Sequence, residues 1–509
     1  MTNSINIVND SFCIQTKAMN KYLINEFKRH FILCHPILSF FLDLFLQGED
    51  LHKWIKSLNK GASIPDYGYF PKELFMYYYR KFLYFTNFKL IFYKHKSDLL
   101  DKRLLIDDIN QGIIETSTVI FETTRRCNLN CKYCSCGQLY CNSNQKSKSD
   151  LNINSAILLL EYLFKLKSLY SSKKQIAISF YGGEPLLNFH FIEEIIKYVD
   201  SKLTDMQIKY DIVTNGVLLD KYMDYLVGKN FTIFISLDGN IKNNDYRVFK
   251  NGQSSFQSVY LNIKKLQQKY PDFFKSNIII KSVLHNKNSV TDIIKFFNES
   301  IDKTPEISSL KTNCIKIEKR HEFEEMFVSY EYSVLQSDDI SYLEEKISKE
   351  LPDSKIIFAS VVNYNSYIYS DYIDLIFRGK IKKTPSNTCL PFSKRVFLTI
   401  DDHLLPCEKI DYKYSFGKVE NNQVIIDYEN LINFYNDVFD RIRSKCYNCS
   451  RQNNCPQCMF QLDLDNREIE CNSFLNYLPF KEVLKGYIEL IEIDRSKLNK
   501  IIKNNYSLK

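Results

Sequence analysis

The segment Arg126–Cys134 reads RCNLNCKYC and brings three cysteines, Cys127, Cys131 and Cys134, onto one short stretch of chain. Three thiolates with this CxxxCxxC spacing can ligate three irons of a four-iron cluster and leave the fourth iron open to a substrate or cofactor. A cluster that only transfers electrons normally has all four irons ligated, so three ligands indicate chemistry at the cluster. The alternatives are a zinc site, because three cysteines can also ligate zinc, or a set of buried cysteines.

The composition indicates a folded protein of several domains. A chain of 509 residues is too long for one ordinary domain, and an apolar content of 45% is enough for substantial cores. The net charge is only +8, with 68 basic residues scattered among 60 acidic ones. Since the sequence has no dense basic stripe with interleaved aromatic residues, it predicts no binding to nucleic acid.

The N-terminal sequence and the cysteine content indicate the cellular compartment in which the protein works. Met1–Asp10 is polar and does not resemble a secretory signal. The most apolar run, Phe31–Leu46, is short for a membrane span and is interrupted by His35, Pro36 and Asp43, so it predicts a buried helix. Fifteen cysteines without a signal peptide favour metal or redox work in the reducing cytoplasm over disulfide bonds.

Strand and helix patterns alternate from Ser117 onward, which predicts parallel strands joined by right-handed crossover helices. Six such units predict an α/β fold, a partial (β/α)6 TIM-like barrel with its active site at the carboxyl ends of the strands. The strand candidates are Thr118–Thr123, Ile176–Tyr181, Ile208–Thr214, Thr232–Leu237, Asn277–Leu284 and the weakest pattern, Lys311–Ile317. Helical patterns between them include Ala156–Leu169 and Phe191–Leu203.

Residues 1–110 carry no cluster motif and have a different pattern. Ser11–Ile24 fits a hairpin that turns at Met19 and Asn20. Three helical patterns follow, at His35–Gln47, Leu51–Leu58 and Pro71–Phe85. A strand pair followed by three helices predicts a small α+β domain of winged-helix-like type.

Further motifs follow three successive strand candidates. YGGEP (Tyr181–Pro185) combines glycines, which let the backbone approach a ligand closely, with a glutamate that can accept a hydrogen bond from an ammonium group. A tight turn would explain the glycines but not the glutamate. TNG (Thr214–Gly216) alone is only a turn signal. SLDG (Ser236–Gly239) precedes Arg247, whose guanidinium suits a ligand carboxylate, although a surface salt bridge is the default interpretation of a lone arginine.

The cysteine segment and these motifs, in this order, resemble the radical S-adenosylmethionine (radical SAM) enzymes. The resemblance implies a 4Fe–4S cluster on Cys127, Cys131 and Cys134, whose open iron binds the amino and carboxylate groups of S-adenosylmethionine. Reductive cleavage of that cofactor then gives a 5′-deoxyadenosyl radical, which abstracts hydrogen from the substrate. The positions that match the family's cofactor contacts are Tyr133, Gly182, Gly183, Glu184, Asn215, Ser236 and Arg247. No position securely matches a catalytic acid or base.

Seven later cysteines resemble the SPASM extension, which carries auxiliary iron–sulfur clusters in members of the family that modify peptides or proteins. The resemblance implies a complete auxiliary 4Fe–4S cluster on one set of four and a second cluster on a set of three. The two sets are Cys446, Cys449, Cys455 and Cys471, and Cys389, Cys407 and Cys458. The second set has no convincing fourth cysteine, which leaves an open iron, a non-cysteine ligand or low occupancy.

The match to the SPASM pattern has two defects. Asp402 stands where the family has glycine, and Cys455 and Cys458 are separated by two residues where the family has three. A zinc ribbon is the alternative, because paired CxxC units also make four-cysteine zinc sites. The fused radical barrel and the order of the seven cysteines favour iron.

Five cysteines lie outside these sets. Cys13, Cys34 and Cys314 have apolar surroundings, which predict core positions. Cys136 and Cys141 closely follow the triplet and could touch substrate or substitute as ligands, but we interpret them as bystanders.

The patterns divide the chain into four parts. The barrel is expected at 111–320, a helical connection at 321–387, and the SPASM-like domain with a C-terminal helix at 388–509. In radical enzymes that modify peptides, an N-terminal domain of this size often binds the leader of a precursor peptide. Residues 1–110 are therefore interpreted as such a leader-binding (RRE-like) domain, with an accessory domain that only packs against the barrel as the alternative.

The whole layout looks like the bacterial radical SAM/SPASM peptide maturases, which modify ribosomally made precursor peptides. This resemblance implies hydrogen abstraction from a peptide, followed by a thioether or carbon–carbon crosslink. The implied partners are a precursor peptide with its leader and an electron donor such as flavodoxin or ferredoxin. The alternatives are protein modification as in the anaerobic sulfatase maturases, peptide epimerisation, and a cluster-bearing scaffold without catalysis.

Overall fold

A computed structural model describes residues 11–25, 30–87, 100–140, 149–202, 206–310, 315–327, 384–450, 455, 457–471 and 473–493. The strands are β1 (Ser11–Gln15), β2 (Lys21–Asn25), β3 (His30–Leu33), β4 (Gly61–Ile64), β5 (Gly68–Pro71), β6 (Thr118–Thr124), β7 (Gln175–Gly182), β8 (Gln207–Thr214), β9 (Thr232–Ser236), β10 (Ile278–Leu284), β11 (Glu306–Ser309), β12 (Arg395–Leu398), β13 (Leu404–Leu405), β14 (Gly417–Glu420) and β15 (Gln423–Ile426).

The helices are α1 (Pro36–Leu46), α2 (Leu51–Ser57), α3 (Lys72–Asn87), α4 (Ile106–Ile114), α5 (Ile153–Tyr170), α6 (Phe189–Ser201), α7 (Leu219–Gly228), α8 (Phe256–Lys269), α9 (Pro271–Asn277), α10 (Val290–Ser300), α11 (Arg320–Met326), α12 (Tyr428–Tyr447) and α13 (Tyr477–Ile493). Among the helices that the structure describes, none has both the length and the apolar character needed to cross a membrane.

One eight-stranded sheet forms the centre of the molecule, in the order β11-β10-β9-β8-β7-β6-β12-β13. Neighbouring strands from β6 to β11 are parallel, and at least one helix connects each consecutive pair. The prediction of an α/β fold with six strand–helix units is therefore confirmed. The first five predicted strands begin and end within one residue of β6 to β10.

The sixth strand is not where the sequence pattern predicts it. Within Lys311–Ile317, residues 311–314 lie outside the described residues, and Ile317, which is 89% exposed, begins a 3-10 helix. The strand is β11, whose four residues pair with β10 at the edge of the sheet. Its sequence, EISS, contains one apolar residue, so it gives almost no alternating signal.

The strands at the centre of the sheet end in buried polar residues. Six of the seven residues of β6 (TVIFETT) are buried, which is typical of a parallel strand that is covered on both faces. Its last residues, Glu122, Thr123 and Thr124, are nevertheless polar and at most 1% exposed. Burial of a carboxylate costs free energy unless hydrogen bonds compensate it. Hydrophobic packing alone therefore does not explain the polar residues at the carboxyl end of β6.

The described part of residues 11–87 forms an α+β unit, as predicted. Strands β1, β2 and β3 make an antiparallel sheet, and the predicted hairpin turns at Met19, whose φ is +62°. Helices α1 to α3 surround a core in which Trp54 contacts the rings of Phe41 and Phe75. The sequence analysis missed β3 and the β4–β5 hairpin, which are short strands.

The C-terminal segment shares the core of the barrel. Strand β12 pairs in parallel with β6, and its residues Phe397 and Leu398 are fully buried. Helix α12 contributes Tyr435 and Phe439 to the same hydrophobic cluster. The SPASM-like region predicted at 388–509 therefore begins as an extension of the barrel sheet.

The last described helix contacts the N-terminal sheet. Glu489 of α13 accepts a hydrogen bond from the Lys17 N–H at 2.8 Å. Glu492 accepts bonds from the Asn20 side-chain amide and the Tyr22 hydroxyl, both at 2.8 Å. These bonds attach the β1–β2 hairpin to the helix that follows the cysteine-rich region.

Two glycines in helices test the packing of the C-terminal segment on the barrel. A Cβ added at Gly112 of α4 would lie 2.6 Å from the Pro391 carbonyl oxygen, whereas one added at Gly228 of α7 would meet nothing within 4 Å. Alanine is more favourable than glycine in an open helix by about 1 kcal/mol. We expect Gly112→Ala to lower the midpoint of thermal unfolding, measured by circular dichroism, and Gly228→Ala to preserve or raise it. An equal response of the two variants would contradict close packing of α4 on the segment at Pro391.

Candidate functional site

Main-chain hydrogen bonds hold the cysteine segment where it leaves the carboxyl end of β6. The Asn130 N–H donates to the Val248 carbonyl oxygen at 2.7 Å, and the Lys132 N–H donates to that of Tyr246 at 3.0 Å. These bonds fix the segment against the residues that follow β9. The cysteines therefore have a defined position at the carboxyl edge of the parallel sheet.

The three thiols are close enough to influence one another. Burial raises the pKa of Cys127 and of Cys131 to about 11, and the neighbouring thiols act in the same direction. The pKa of Cys134 is raised further, first by a hydrogen bond with Cys136 and then by burial. Thiols release their protons when they bind a metal, and soft thiolates are the ligands of iron–sulfur clusters. The donor set at this position fits such a cluster.

The two glycines of the YGGEP motif bring the next strand end against the cysteine segment. Gly182 has a φ of +132°, and a Cβ added there would lie 2.3 Å from the Thr124 carbonyl oxygen. A Cβ added at Gly183 would lie 2.4 Å from that of Arg126. The glycines therefore accommodate the backbone that leads into Cys127, a close approach within the protein that the sequence analysis had assigned to a ligand.

Glu184 connects this turn to the following strand. Its carboxylate is fully buried and accepts hydrogen bonds from the Leu186 N–H at 3.1 Å, the Thr214 hydroxyl at 2.8 Å and the Asn215 N–H at 2.7 Å. Burial raises its pKa to about 7 against the opposing effect of these three bonds. A ligand's ammonium group would have to share a carboxylate that already has three protein donors.

Asn215 extends the connection to a cysteine. Its side-chain amide donates to the Cys127 sulfur at 3.7 Å and to the Asn128 side-chain oxygen at 2.7 Å. The Leu129 N–H also donates to the Cys127 sulfur, at 3.4 Å. Hydrogen bonds to the sulfurs of a cluster help to set its reduction potential. The asparagine that looked like a turn signal in the sequence is therefore in contact with a candidate iron ligand.

A buried ion pair lies on the other side of the cysteine segment. The Arg247 Nε donates to the Asp238 carboxylate at 3.1 Å, and the Tyr133 hydroxyl donates to the same oxygen. The guanidinium lies over the Tyr133 ring, 5.4 Å from its centre, and His285 is 3.7 Å from the carboxylate. Burial would raise the pKa of Asp238, but Arg247, His285, Tyr133 and the Val283 N–H together lower it.

This pair also affects the second cysteine. The charge of Arg247 and a hydrogen bond from it lower the pKa of Cys131, in opposition to burial. Asp238 and His285 are residues of this network that the sequence analysis did not select. Asp238 stands inside the SLDG motif, and a charged residue at a strand end was the only signal that could have identified it.

The structure brings six of the seven predicted cofactor contacts beside or directly behind the cysteine segment. Tyr133, which the resemblance places near adenine, is 7% exposed and is bonded to Asp238. Ser236 is the last residue of β9 and is partly exposed. The six that contact the segment or its hydrogen-bond network are Tyr133, Gly182, Gly183, Glu184, Asn215 and Arg247.

The region that carries this site matches a known family. Residues 121–297 match the radical SAM superfamily. This part of the chain is a radical SAM domain. The radical SAM family implies S-adenosylmethionine and a 4Fe–4S cluster as cofactors, and Cys127, Cys131 and Cys134 lie inside the matched region.

Curated relatives of the radical SAM domain cover part of the chain. MJ0907, an uncharacterized protein of Methanocaldococcus jannaschii, is 36% identical over 138 residues, 27% of this chain and 44% of that protein. The radical SAM cyclopropyl synthase TigE of Paramaledivibacter caminithermalis is 27% identical over 184 residues, 35% of this chain and 38% of TigE. The cysteine-type anaerobic sulfatase-maturating enzyme of Clostridium novyi is 30% identical over 189 residues, 36% of this chain and 48% of that enzyme. The chain spans less than half the length of each relative.

Beyond the radical SAM domain, four cysteines line one cavity. The cavity is partly open to solvent, and its lining includes Cys446, Cys449, Cys455 and Cys471. Burial and the charges of the other three thiols raise the pKa of Cys446 to about 12. No three side chains of His, Cys, Asp or Glu in the described residues converge on a single metal ion. Cluster ligands need not converge in this way, because each binds a different iron.

The other three C-terminal cysteines lie apart from this cavity. Cys407 is within 3.8 Å of an Arg395 nitrogen and accepts a hydrogen bond from the Lys409 N–H at 3.4 Å. Cys458 is 4.0 Å from the Thr388 hydroxyl. Cys389 is exposed and acts electrostatically on Cys458.

The remaining cysteines have varied positions. Cys34 is buried and Cys13 is half-buried in the core of the N-terminal unit. Cys136 forms a hydrogen bond with Cys134. Cys141 and Cys314 lie outside the described residues.

The buried ion pair leads to a stability prediction. Asp238→Asn or Arg247→Gln leaves the partner charge buried, so we expect each to lower the free energy of unfolding by about 3–5 kcal/mol. The double variant should lose less than the sum of the single variants. Asp224→Asn, which removes the exposed partner of Lys269, should cost less than about 1 kcal/mol. Guanidinium titration before cluster reconstitution measures all four, and similar costs for Asp238→Asn and Asp224→Asn would contradict the buried network.

Proposed function

We propose that this chain is a radical SAM peptide maturase, in which bound S-adenosylmethionine and the cluster supply a 5′-deoxyadenosyl radical that abstracts hydrogen from a ribosomally made precursor peptide. A thioether or carbon–carbon crosslink then forms in the peptide. The observation that carries the proposal is the position of Cys127, Cys131 and Cys134 at the carboxyl edge of the parallel sheet, where the active sites of such barrels lie. The neighbouring strand ends hold them there through Glu184 and Asn215.

The protein's task at this site is to orient the cofactor. Arg247 would pair with the cofactor's carboxylate, because a guanidinium has five N–H donors and only one edge is used by Asp238. Its bond to Asp238 and its contact with Tyr133 fix it before the ligand arrives, so little side-chain freedom is lost on binding. The residues assigned to the cofactor are Tyr133, Gly182, Gly183, Glu184, Asn215, Ser236 and Arg247.

The C-terminal cysteines are assigned to one or two auxiliary 4Fe–4S clusters. Four of them line one cavity, and no three of these described thiols converge as ligands of a single zinc ion would, which supports a cluster more than zinc. An auxiliary cluster would accept the electron released when the substrate radical is oxidised. A crosslink that removes two hydrogens needs such an acceptor, whereas epimerisation does not.

The peptide and the electron donor are proposed partners. We assign leader binding to the N-terminal α+β unit and reduction of the cluster to a donor such as flavodoxin or ferredoxin. The similarity to a sulfatase-maturating enzyme favours protein modification as a second candidate. The N-terminal unit weighs against it, because a protein substrate without a leader needs no leader-binding domain.

Cofactor cleavage gives the first test. After anaerobic reconstitution and reduction, the wild-type chain should convert S-adenosylmethionine to 5′-deoxyadenosine, measured by liquid chromatography. Cys131→Ala should lower the rate at least 100-fold while peptide binding is preserved, because loss of one ligand from a three-ligand site releases the cluster. Cys13→Ala, in the N-terminal core, should keep the wild-type rate. Cleavage at the wild-type rate by Cys131→Ala would refute the ligand assignment, and a fully loaded wild-type chain without product would favour the scaffold.

The peptide gives the second test. Coexpression with a precursor peptide encoded beside this gene, followed by mass spectrometry, should show a loss of two hydrogens per modification. The Cys131→Ala chain is the matched control and should leave the mass unchanged. An unchanged mass with the active chain, together with altered stereochemistry of a residue, would replace crosslinking by epimerisation.

A further inference from the structure

Arg125, in the link between β6 and the cysteine segment, lies between two carboxylates. Its Nε donates to the Glu122 carboxylate at 3.1 Å, and another guanidinium nitrogen is 3.2 Å from the Asp401 carboxylate, in the turn between β12 and β13. The guanidinium also lies over the Tyr412 ring, 5.3 Å from its centre. The side chains of Arg125 and Asp401 are each 20% exposed, and that of Glu122 is 1% exposed. One arginine thus joins the barrel sheet to the C-terminal segment.

The Glu122 carboxylate also binds the C-terminal segment directly. It accepts hydrogen bonds from the Ile400 N–H at 3.0 Å and from the Tyr412 hydroxyl at 2.9 Å. Ile400 directly precedes Asp401, so the carboxylate and the guanidinium contact neighbouring residues of one turn. A buried carboxylate is costly unless a cation and hydrogen bonds compensate it, and here Arg125 supplies the charge. The network is therefore a specific attachment between the two parts of the chain.

The backbone of Arg125 has little freedom beside the cysteine segment. Its N–H donates to the Ser149 carbonyl oxygen at 2.9 Å. A Cβ added at Gly183 would lie 2.7 Å from the Arg125 carbonyl oxygen, so this oxygen packs directly against the YGGEP turn. Cys127 follows two positions later, and its sulfur accepts a hydrogen bond from Asn215, which directly follows β8. Contacts that hold Arg125 therefore also hold the first cysteine of the triplet.

We propose that Arg125 is a positioning residue: its bridge from Glu122 to Asp401 lets the C-terminal segment hold Cys127 in the place that cluster binding requires. The inference rests on the assignment of Cys127 as a ligand of the radical SAM cluster, and it does not depend on which substrate is modified. The C-terminal segment then has a role at the radical SAM site in addition to the auxiliary clusters proposed for its cysteines. Loss of the bridge should free the cysteine segment locally and leave the rest of the fold in place.

Asp401→Asn tests the bridge, because it removes one charge and keeps the shape of the side chain. In the full chain before cluster reconstitution, we expect iodoacetamide to alkylate Cys127 about tenfold faster than in the wild type, since a charge-assisted bond that restrains local opening is lost. Peptide mapping by mass spectrometry measures the rate. Cys34, in the N-terminal core, should react at the wild-type rate. Asp465→Asn, which removes the exposed partner of Lys413, is the matched control and should change neither rate.

Two further variants separate positioning from general stability. Arg125→Lys should resemble Asp401→Asn, because one ammonium group cannot bridge two carboxylates as a planar guanidinium does. Asp401→Glu keeps the carboxylate and should restore the wild-type rate at Cys127. An unchanged rate at Cys127 in Asp401→Asn, an equal rise at Cys127 and Cys34, or no rescue by Asp401→Glu would overturn the inference.

The reconstituted chain gives a second readout. Ferrozine, a chelator of ferrous iron, should remove about four irons per chain roughly tenfold faster from Asp401→Asn than from the wild type, because loss of the cluster needs the same local opening. Release at the wild-type rate would contradict the proposed role of the bridge. The alkylation needs no cofactor, so a wild-type chain that fails to cleave S-adenosylmethionine would refute the proposed function and leave the positioning test intact.

Discussion

The geometry of the site depends on the hydrogen bonds that the buried carboxylate of Glu184 accepts. It lies entirely inside the protein and accepts three hydrogen bonds, two of which come from Thr214 and Asn215 at the end of β8. Each hydrogen bond to a charged group is worth about 1.5–3 kcal/mol, so three of them offset much of the cost of burial. Asn215, fixed in this way, donates to the sulfur of Cys127. The position of a cysteine after β6 is therefore set by a carboxylate after β7 and an amide after β8.

Two further buried carboxylates hold the same segment from other directions. Glu122 of β6 accepts bonds from Arg125 at 3.1 Å and from the Ile400 N–H at 3.0 Å, which joins the start of the segment to the C-terminal region. Asp238 holds Arg247 on the opposite side. Burial would raise the pKa of Asp238, but the charge of Arg247 and the hydrogen bonds lower it, whereas burial raises the pKa of Glu184, whose bonds come from neutral donors. The charge of Arg247 lowers the pKa of Cys131, where an anionic cluster would lie, and the charge of Asp238 opposes it.

The sequence predicted those parts of the molecule that depend on local pattern. β6 to β10 are continuous apolar or alternating runs, and the cysteine spacing needs no tertiary information. The sequence analysis did not identify Glu122 because its partners are distant or non-periodic: Arg125 lies in the following loop, and Ile400 and Tyr412 follow β12, far away in sequence. The sequence analysis placed the sixth strand wrongly for two reasons. The strand β11 has only four residues at the edge of the sheet, so its sequence carries little alternation of apolar and polar residues. Ile315 and Ile317 do alternate with polar residues, but they do not pair in the sheet.

The hydrogen bonds of Glu122 also connect the region around Cys407 to the start of the cysteine segment. Ile400 precedes Cys407 in sequence and Tyr412 follows it. The Ile400 N–H and the Tyr412 hydroxyl both donate hydrogen bonds to Glu122, which lies four positions before Arg126, the start of the cysteine segment. Burial raises the pKa of Tyr181 at the end of β7, and Cys136, Glu408 and Cys134 act on it in the same direction. Glu122 and Tyr181 therefore connect the neighbourhood of Cys407 to β6 and β7, and α12 carries Cys446, which lines the cavity together with three other cysteines.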